Sequence, residues 1–255
     1  MKGNNSQNDF IYEEGLKDVT KIIIDGDIAD IHLVGVSSKS GIQYNGKKLG
    51  LGNPAVDIGY KGDQAWIKVR ERALLRSINP FKLSRGRLVI SVPFEFMELV
   101  QIKTGLGKID VKYANPIKEL ILKSDLGIIN VDSFTGACLH ASTNVGTINL
   151  GKIDGSVHIT SSVGRVNIAD LSMKGKNIIK TKNSSIIVGV PNENLNEVGL
   201  NISTKIGRII SKNNRLAGEN IYFAEAFPPG RKVINRYKGN KELTITSAVG
   251  NIRFY

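Results

Sequence analysis

From residue 94 onward, apolar and polar positions alternate in short runs. Val100 and Ile102, Leu120 and Leu122, Leu139 and Ala141, Val157 and Ile159, Leu200 and Ile202, and Leu243 and Ile245 each occupy every second position. A period of two puts one side of an extended segment inside and the other in water, so these runs predict strands. Each run leads to a glycine: Gly107, Gly127, Gly146, Gly164, Gly207 and Gly250. Ser184 takes that place in "TKNSSIIV". Three positions earlier stand only hydroxyl residues: Thr104, Ser124, Thr143, Ser161, Thr181, Thr204 and Ser247. Beyond the glycine the apolar pairs resume as Ile109/Val111, Ile129/Val131, Ile148/Leu150, Val166/Ile168, Ile186/Val188 and Ile252/Phe254. A weaker third mark follows at Phe134, Ile153 and Leu171.

The residue just before each glycine is also mostly apolar: Leu106, Leu126, Val145, Val163, Ile206 and Val249. Alternation predicts that it points inward. The inward set then passes from one before the glycine to two after it, which a flat strand cannot do. The chain must turn there, and glycine suits a corner that needs positive φ or close backbone approach. The hydroxyl column is placed to bond backbone groups exposed by the bend.

A unit of about 20 residues with two strands and a short third side cannot close its own core. Stacked layers would set like residue over like and bury continuous aliphatic columns. The expected fold is therefore all-β: a right-handed parallel β-solenoid, β-helix-like, over 94–255. An antiparallel sandwich is the rival, but it does not require the same residue type at the same offset in successive units. Residues 1–18 read as a flexible polar tail. Residues 19–93 read as a less regular β region, either further coils or a cap. The stretch 211–240 leaves room for one degenerate repeat. The last coil, "LTITSAVGNIRFY", shows no cap and predicts end-to-end pairing of two copies.

Composition agrees with thin aliphatic layers. Of 255 residues, 41% are hydrophobic but only 6% aromatic, and 27 are glycine. The single cysteine, Cys138, excludes an intrachain disulfide. The opening "MKGNNSQNDF" has no apolar segment of a secretion signal, and no run of 18 apolar residues predicts a membrane span. The compartment is therefore left open between cytoplasm and cell surface.

The net charge of +12 favours anionic partners such as anionic lipid or an anionic wall polymer. The excess is uneven, gathering in 61–90 and in 205–241, and the most suggestive stretch is "RERALLRSINPFKLSRGR" (70–87), where basic residues alternate irregularly with apolar ones. Arg70, Arg72, Arg76, Lys82, Arg85 and Arg87 are the candidate contacts to an anionic surface. Nucleic acid is disfavoured, because no binding motif and few stacking aromatics are present.

Catalytic chemistry finds little support. No phosphate-binding glycine loop occurs, so no nucleotide cofactor is expected. His140 and His158 fall in one outward column and would stack on adjacent coils. With only Ser142 and Thr160 alongside, they make a poor metal ligand set. Cys138 and His140 would share a face, but a free thiol in a β repeat is ordinarily inert. Asp110, Asp125 and Asp132 are scattered along the repeat. No catalytic residue, metal or cofactor is expected.

Three features in order, "KIIIDGDIADIHLV" (21–34), "RLVISVP" (87–93) and the recurring "[ST]xxGxIxV", make the chain similar to the bacterial DUF4097 family, which carries an adhesin label. The resemblance covers about 19–255. It implies a β-solenoid without known catalytic residues, and a surface or envelope-stress setting for some relatives. The expected function is a non-enzymatic scaffold or binding protein that contacts an anionic envelope component or a protein partner. The alternatives are a carbohydrate-active enzyme using one face of a β-helix, and a cytoplasmic regulator acting through edge pairing.

Overall fold

The computed structural model describes residues 9–36, 40–47, 55–70, 86–191, 193–212, 216, 221–226, 230–237 and 239–255. The strands in chain order are β1 (Asp9–Gly15), β2 (Lys21–Gly35), β3 (Gly41–Lys47), β4 (Ala55–Lys61), β5 (Gln64–Arg70), β6 (Gly86–Val92), β7 (Leu99–Lys112) and β8 (Ala114–Met173). There follow β9 (Lys176–Val188), β10 (Gly199–Ile206), β11 (Ile209–Ser211), β12 (Ile221–Ala226), β13 (Gly230–Asn235), β14 (Glu242–Val249) and β15 (Ile252–Phe254). The only helices among the described residues are two single 3₁₀ turns, Phe94–Phe96 and Leu195–Glu197. The fold is all-β.

The middle of the molecule pairs in parallel and in register. Leu120 lies opposite Val100, Gly127 opposite Gly107, and Ile129 opposite Ile109. Ile179 lies opposite Ile159, and Ile186 opposite Val166. Like therefore sits over like, and the aliphatic columns close. Ile102, Leu122, Ala141, Ile159, Ile179, Ile109, Ile129, Ile148, Val166 and Ile186 are all buried. The third side is buried too, at Phe134, Ile153 and Leu171. Each such aliphatic side chain stabilises the fold by about 1.5–3 kcal/mol relative to exposure.

The sheet is mixed rather than wholly parallel. At the N-terminal end β2 forms a regular layer against β7. Its other edge is met by β5 along Lys21–Gly26 and by β6 along Ala29–Gly35. Antiparallel strands close this end, with β3 on β6, β1 on β3 and β4 on β5. The expected tail is thus partly structured, since Asp9–Gly15 is β1. At the far end, the described strands of 211–240 form no further parallel layer; β12 and β13 pair antiparallel with each other, and β13 pairs antiparallel with β10.

The order of layers departs from the order of the chain. β14 pairs in parallel with β9 on one edge and with β10 on the other. β15 likewise lies between β9 and β11. The C-terminal strands therefore fill a gap left between 176–188 and 199–211. The uncapped last coil expected from the sequence is an interior layer instead. Asn177 marks the insertion. It is the one polar residue in its aliphatic column and is fully buried. Its Oδ1 accepts from Val157 N at 3.0 Å, and its Nδ2 donates to the carbonyls of Gly175 and Glu242 at 3.2 Å each. One side chain thus ties the layers on both sides of it.

Candidate functional site

The glycine corners are structural. A Cβ on Gly146 would lie 1.7 Å from the carbonyl oxygen of Gly127, and one on Gly164 would lie 1.7 Å from that of Gly146. Gly107, Gly127, Gly207 and Gly250 meet the neighbouring layer's backbone equally closely. Close approach, reinforced by positive φ at Gly107, Gly146, Gly164, Gly207 and Gly250, excludes any side chain. The hydroxyl column is buried and bonds across layers at several positions, while the Thr143 hydroxyl is buried without a hydrogen-bond partner. Thr104 donates to Ala29 O at 3.2 Å, Ser124 to Gly107 O at 3.4 Å, and Thr204 to Gly250 O at 3.0 Å.

The residue before the glycine corrects the inward assignment. Leu126, Val145, Val163, Ile206 and Val249 are 42–53% exposed. The turn begins before the glycine, so this residue swings outward after the buried hydroxyl. Leu106 stands over Leu126, and Val249 over Ile206. The result is an apolar ridge along the corner.

Beside this ridge runs a face of lysine and hydroxyl residues. Lys103 lies opposite Lys123, Thr160 opposite Lys180, Lys180 opposite Thr246, Thr246 opposite Ser203, and Ser203 opposite Lys232. In the other direction Lys103 meets Asp25, which meets Lys68. A cleft of about 350 Å³ opens here, lined by Lys123, Ser142, Asn144, Thr160, Ser162, Lys180 and Lys182 beside the buried hydroxyls. Other lysines are neutralised: Lys21 pairs with Asp63 and Glu98, Lys108 with Asp110, Lys174 with Asp154 and Lys241 with Glu193. Among the described residues, Lys103, Lys123, Lys180 and Lys182 have no such acidic partner within ion-pair distance. Lys103 and Lys123 stand one strand spacing apart, ~4.8 Å. Directly opposed like charges are destabilising unless a counter-charge sits between them.

Sequence reasoning placed the binding charges elsewhere. Arg72, Arg76, Lys82 and Arg85 lie outside the described residues. Arg70 is exposed at the end of β5, 3.7 Å from Asp57. Arg87 is exposed on β6, opposite Asp30. Lys103, Lys123 and Lys180 are legible as an outward polar column, but not as a binding site, because they are separated by whole layers and form no local cluster.

The repeat carboxylates are held in structural pairs. Asp110 accepts from Asn130 at 2.7 Å, Asn130 from Asn149 at 2.9 Å, and Asn149 from Asn167 at 2.9 Å. This amide ladder ends where Ile187 stands opposite Asn167, leaving Asn167 Oδ1 buried without a hydrogen-bond partner. Burial alone would raise the Asp110 pKa, but bonds from Lys108 and Asn130 outweigh it and hold the carboxyl below its ordinary value. Asp125 accepts from Asn144, and Asp132 pairs with Lys112.

The histidines stack as the column predicts. The rings of His140 and His158 meet edge to face, with centroids 4.9 Å apart. Cys138 Sγ lies 3.2 Å from His140 Nε2. Burial and the nearby Glu119 push the Cys138 thiol up. A nucleophilic cysteine needs the opposite shift, so the pair lacks the character of a catalytic dyad.

No family model matches the chain, and no curated protein matches it. Solved structures do. One from Bacteroides fragilis, provisionally described as an adhesin, aligns over 98% of each chain at 12% identity with a TM-score of 0.53. One from Clostridium sporogenes, provisionally described as a cell adhesion protein, aligns over 96% of this chain and 98% of its own, at 14% identity and a TM-score of 0.45. One from Parabacteroides distasonis, provisionally described as lipid binding, covers 99% of this chain and 98% of its own, at 13% identity and a TM-score of 0.39. The Bacteroides likeness supports the all-β fold; at that identity it speaks to fold alone.

Proposed function

We propose that this chain is a non-enzymatic binding scaffold of the DUF4097 type: a right-handed parallel β-solenoid with coils of ~20 residues whose lysine–hydroxyl face holds an anionic polymer. The observation that carries this reading is the cleft lined by Lys123, Lys180 and Lys182 with hydroxyl and amide side chains between them, extended by Lys103 stacked on Lys123. A polymer with regularly spaced phosphates or carboxylates would supply the missing counter-charge, and the hydroxyl and amide groups between the lysines would bond its oxygens. Such a ligand fits an envelope setting. Arg70, Arg72, Arg76, Lys82, Arg85 and Arg87 are proposed as a second basic contact.

The test is equilibrium binding to poly(glycerol phosphate) and to a neutral polysaccharide of equal length. Binding to the anionic polymer alone is expected, weakening at least tenfold between low and physiological salt. Lys103→Ser, Lys123→Ser and Lys180→Ser combined should abolish it. Combined Ser substitutions at Arg70, Arg72, Arg76 and Lys82 measure the second contact. Equal binding by the triple lysine variant and the unaltered protein would overturn the reading.

The apolar ridge favours a second reading, a protein partner docking along the corner. In that case Leu126→Asp and Val163→Asp would block the contact while leaving polymer binding unchanged.

A further inference from the structure

We propose that Cys138, His140, His158 and Glu119 form a binding site for a borderline-soft divalent cation, zinc above all. The four residues come from three successive layers and meet on one outward face. Cys138 and Glu119 share one column, as do His140 and His158, so in-register stacking makes a compact group that is scattered in the sequence. His140 Nε2 is the hub, 3.2 Å from Cys138 Sγ and 3.3 Å from Glu119 Oε1. One ligand atom from each of Cys138, His140 and His158 lies within 4.8 Å of the others.

These separations suit coordination. In a tetrahedral site with Zn–N and Zn–O bonds of about 2.0–2.1 Å and a Zn–S bond of about 2.3 Å, neighbouring ligand atoms lie ~3.3–3.6 Å apart. Two edges of such a tetrahedron already exist around His140. The approach of His158 is completed by side-chain rotation, which half-exposed residues allow. One thiolate, one carboxylate and two neutral imidazoles balance a divalent charge. The thiol gives up its proton to solvent when the metal binds.

Simple hydrogen bonding accounts for His140 between Cys138 and Glu119. It does not account for the second imidazole held against the first. The two rings meet edge to face with centroids 4.9 Å apart. The soft sulfur and two imidazoles select zinc or its analogues over magnesium and calcium, which prefer oxygen ligands. Beyond Cys138 the cysteine column continues with Ser156, in the layer of His158, and then Lys176, and the layer after His158 places Ile178 in the histidine column, so the ligand set is confined to these three layers.

The test uses the full chain stripped with a chelator and titrated with Zn²⁺ and, as a spectroscopic probe, Co²⁺. One equivalent should bind. Cobalt should show visible d–d bands of tetrahedral intensity and a thiolate-to-metal charge-transfer band in the near ultraviolet. Cys138→Ser should remove the charge-transfer band, and His158→Gln should weaken zinc binding at least tenfold. Glu119→Gln should weaken it severalfold. All three positions face outward, so far-ultraviolet circular dichroism of the metal-free variants should match the unaltered protein. Zn²⁺ should raise Tm in that protein and not in the Cys138→Ser, His158→Gln double variant. No uptake above that of the double variant would overturn the assignment. So would cobalt binding without a thiolate band.

Discussion

At the residue scale, the corner glycines are the least replaceable positions. Gly146→Ala would force a methyl group against the Gly127 carbonyl at a positive φ of 154°. The expected loss is about 3 kcal/mol or more, read by urea denaturation. Acid sensitivity centres on the base of the amide ladder. Burial first, and Arg87 second, push the His32 pKa below its ordinary 6.5. The hydrogen-bonded Asp110 beside it titrates below its ordinary 3.8. Both groups take up protons more readily when unfolded. Each therefore contributes stability that is present above those values and lost as pH falls below them. Melting curves should show Tm declining from about pH 6.5 and again below about pH 4. Asp110→Asn should flatten the lower limb and cost about 1–2 kcal/mol at neutral pH. The corners and buried hydroxyls were legible because each recurs in every unit. The exposed position before the glycine was misread for a physical reason. Leu126 and Val163 continue the alternation in type, but the backbone has already begun to turn beneath them.

At the element scale, the inserted C-terminal strand governs the far end. β14 supplies the partner for two edges at once. Its entry is fixed by the buried Glu193, which accepts from Met173 N at 2.8 Å and pairs with Lys241 at 2.9 Å. A chain ending at residue 240 should become protease-sensitive across 189–240 while 99–173 stays protected. An unchanged cleavage pattern would contradict the insertion. Glu193→Gln should weaken the same end by about 1–3 kcal/mol. Layer order was not legible in the sequence, because 176–188, 199–211 and 242–254 carry interchangeable patterns. Asn177 and Ser184 distinguish their layer, and the Asn177 partners on its two sides, Val157 and Glu242, lie 20 and 65 positions away. The N-terminal third was harder still, since β2 stacks regularly while β3 to β6 alternate between parallel and antiparallel pairing.

At the scale of the whole molecule, antiparallel strands close both ends of the parallel stack. At the far end β13 covers the β10 half of the last layer, while β11 pairs with β15 alone among the described residues. Function is then left to the long outer surface. The sequence announced a basic protein but not where the charge gathers. Stacking brings Lys103 and Lys123 to one strand spacing, and Lys180 joins the same column three layers beyond Lys123. Stacking also gathers Glu119, Cys138, His140 and His158. The most direct measurement of the central claim is lysine-reactivity footprinting by mass spectrometry, with and without poly(glycerol phosphate). Protection concentrated on Lys103, Lys123, Lys180 and Lys182, with Lys21, Lys108 and Lys174 unchanged, is the predicted result. Protection spread evenly over all lysines, or absent from the cleft, would contradict an anionic polymer bound along this face.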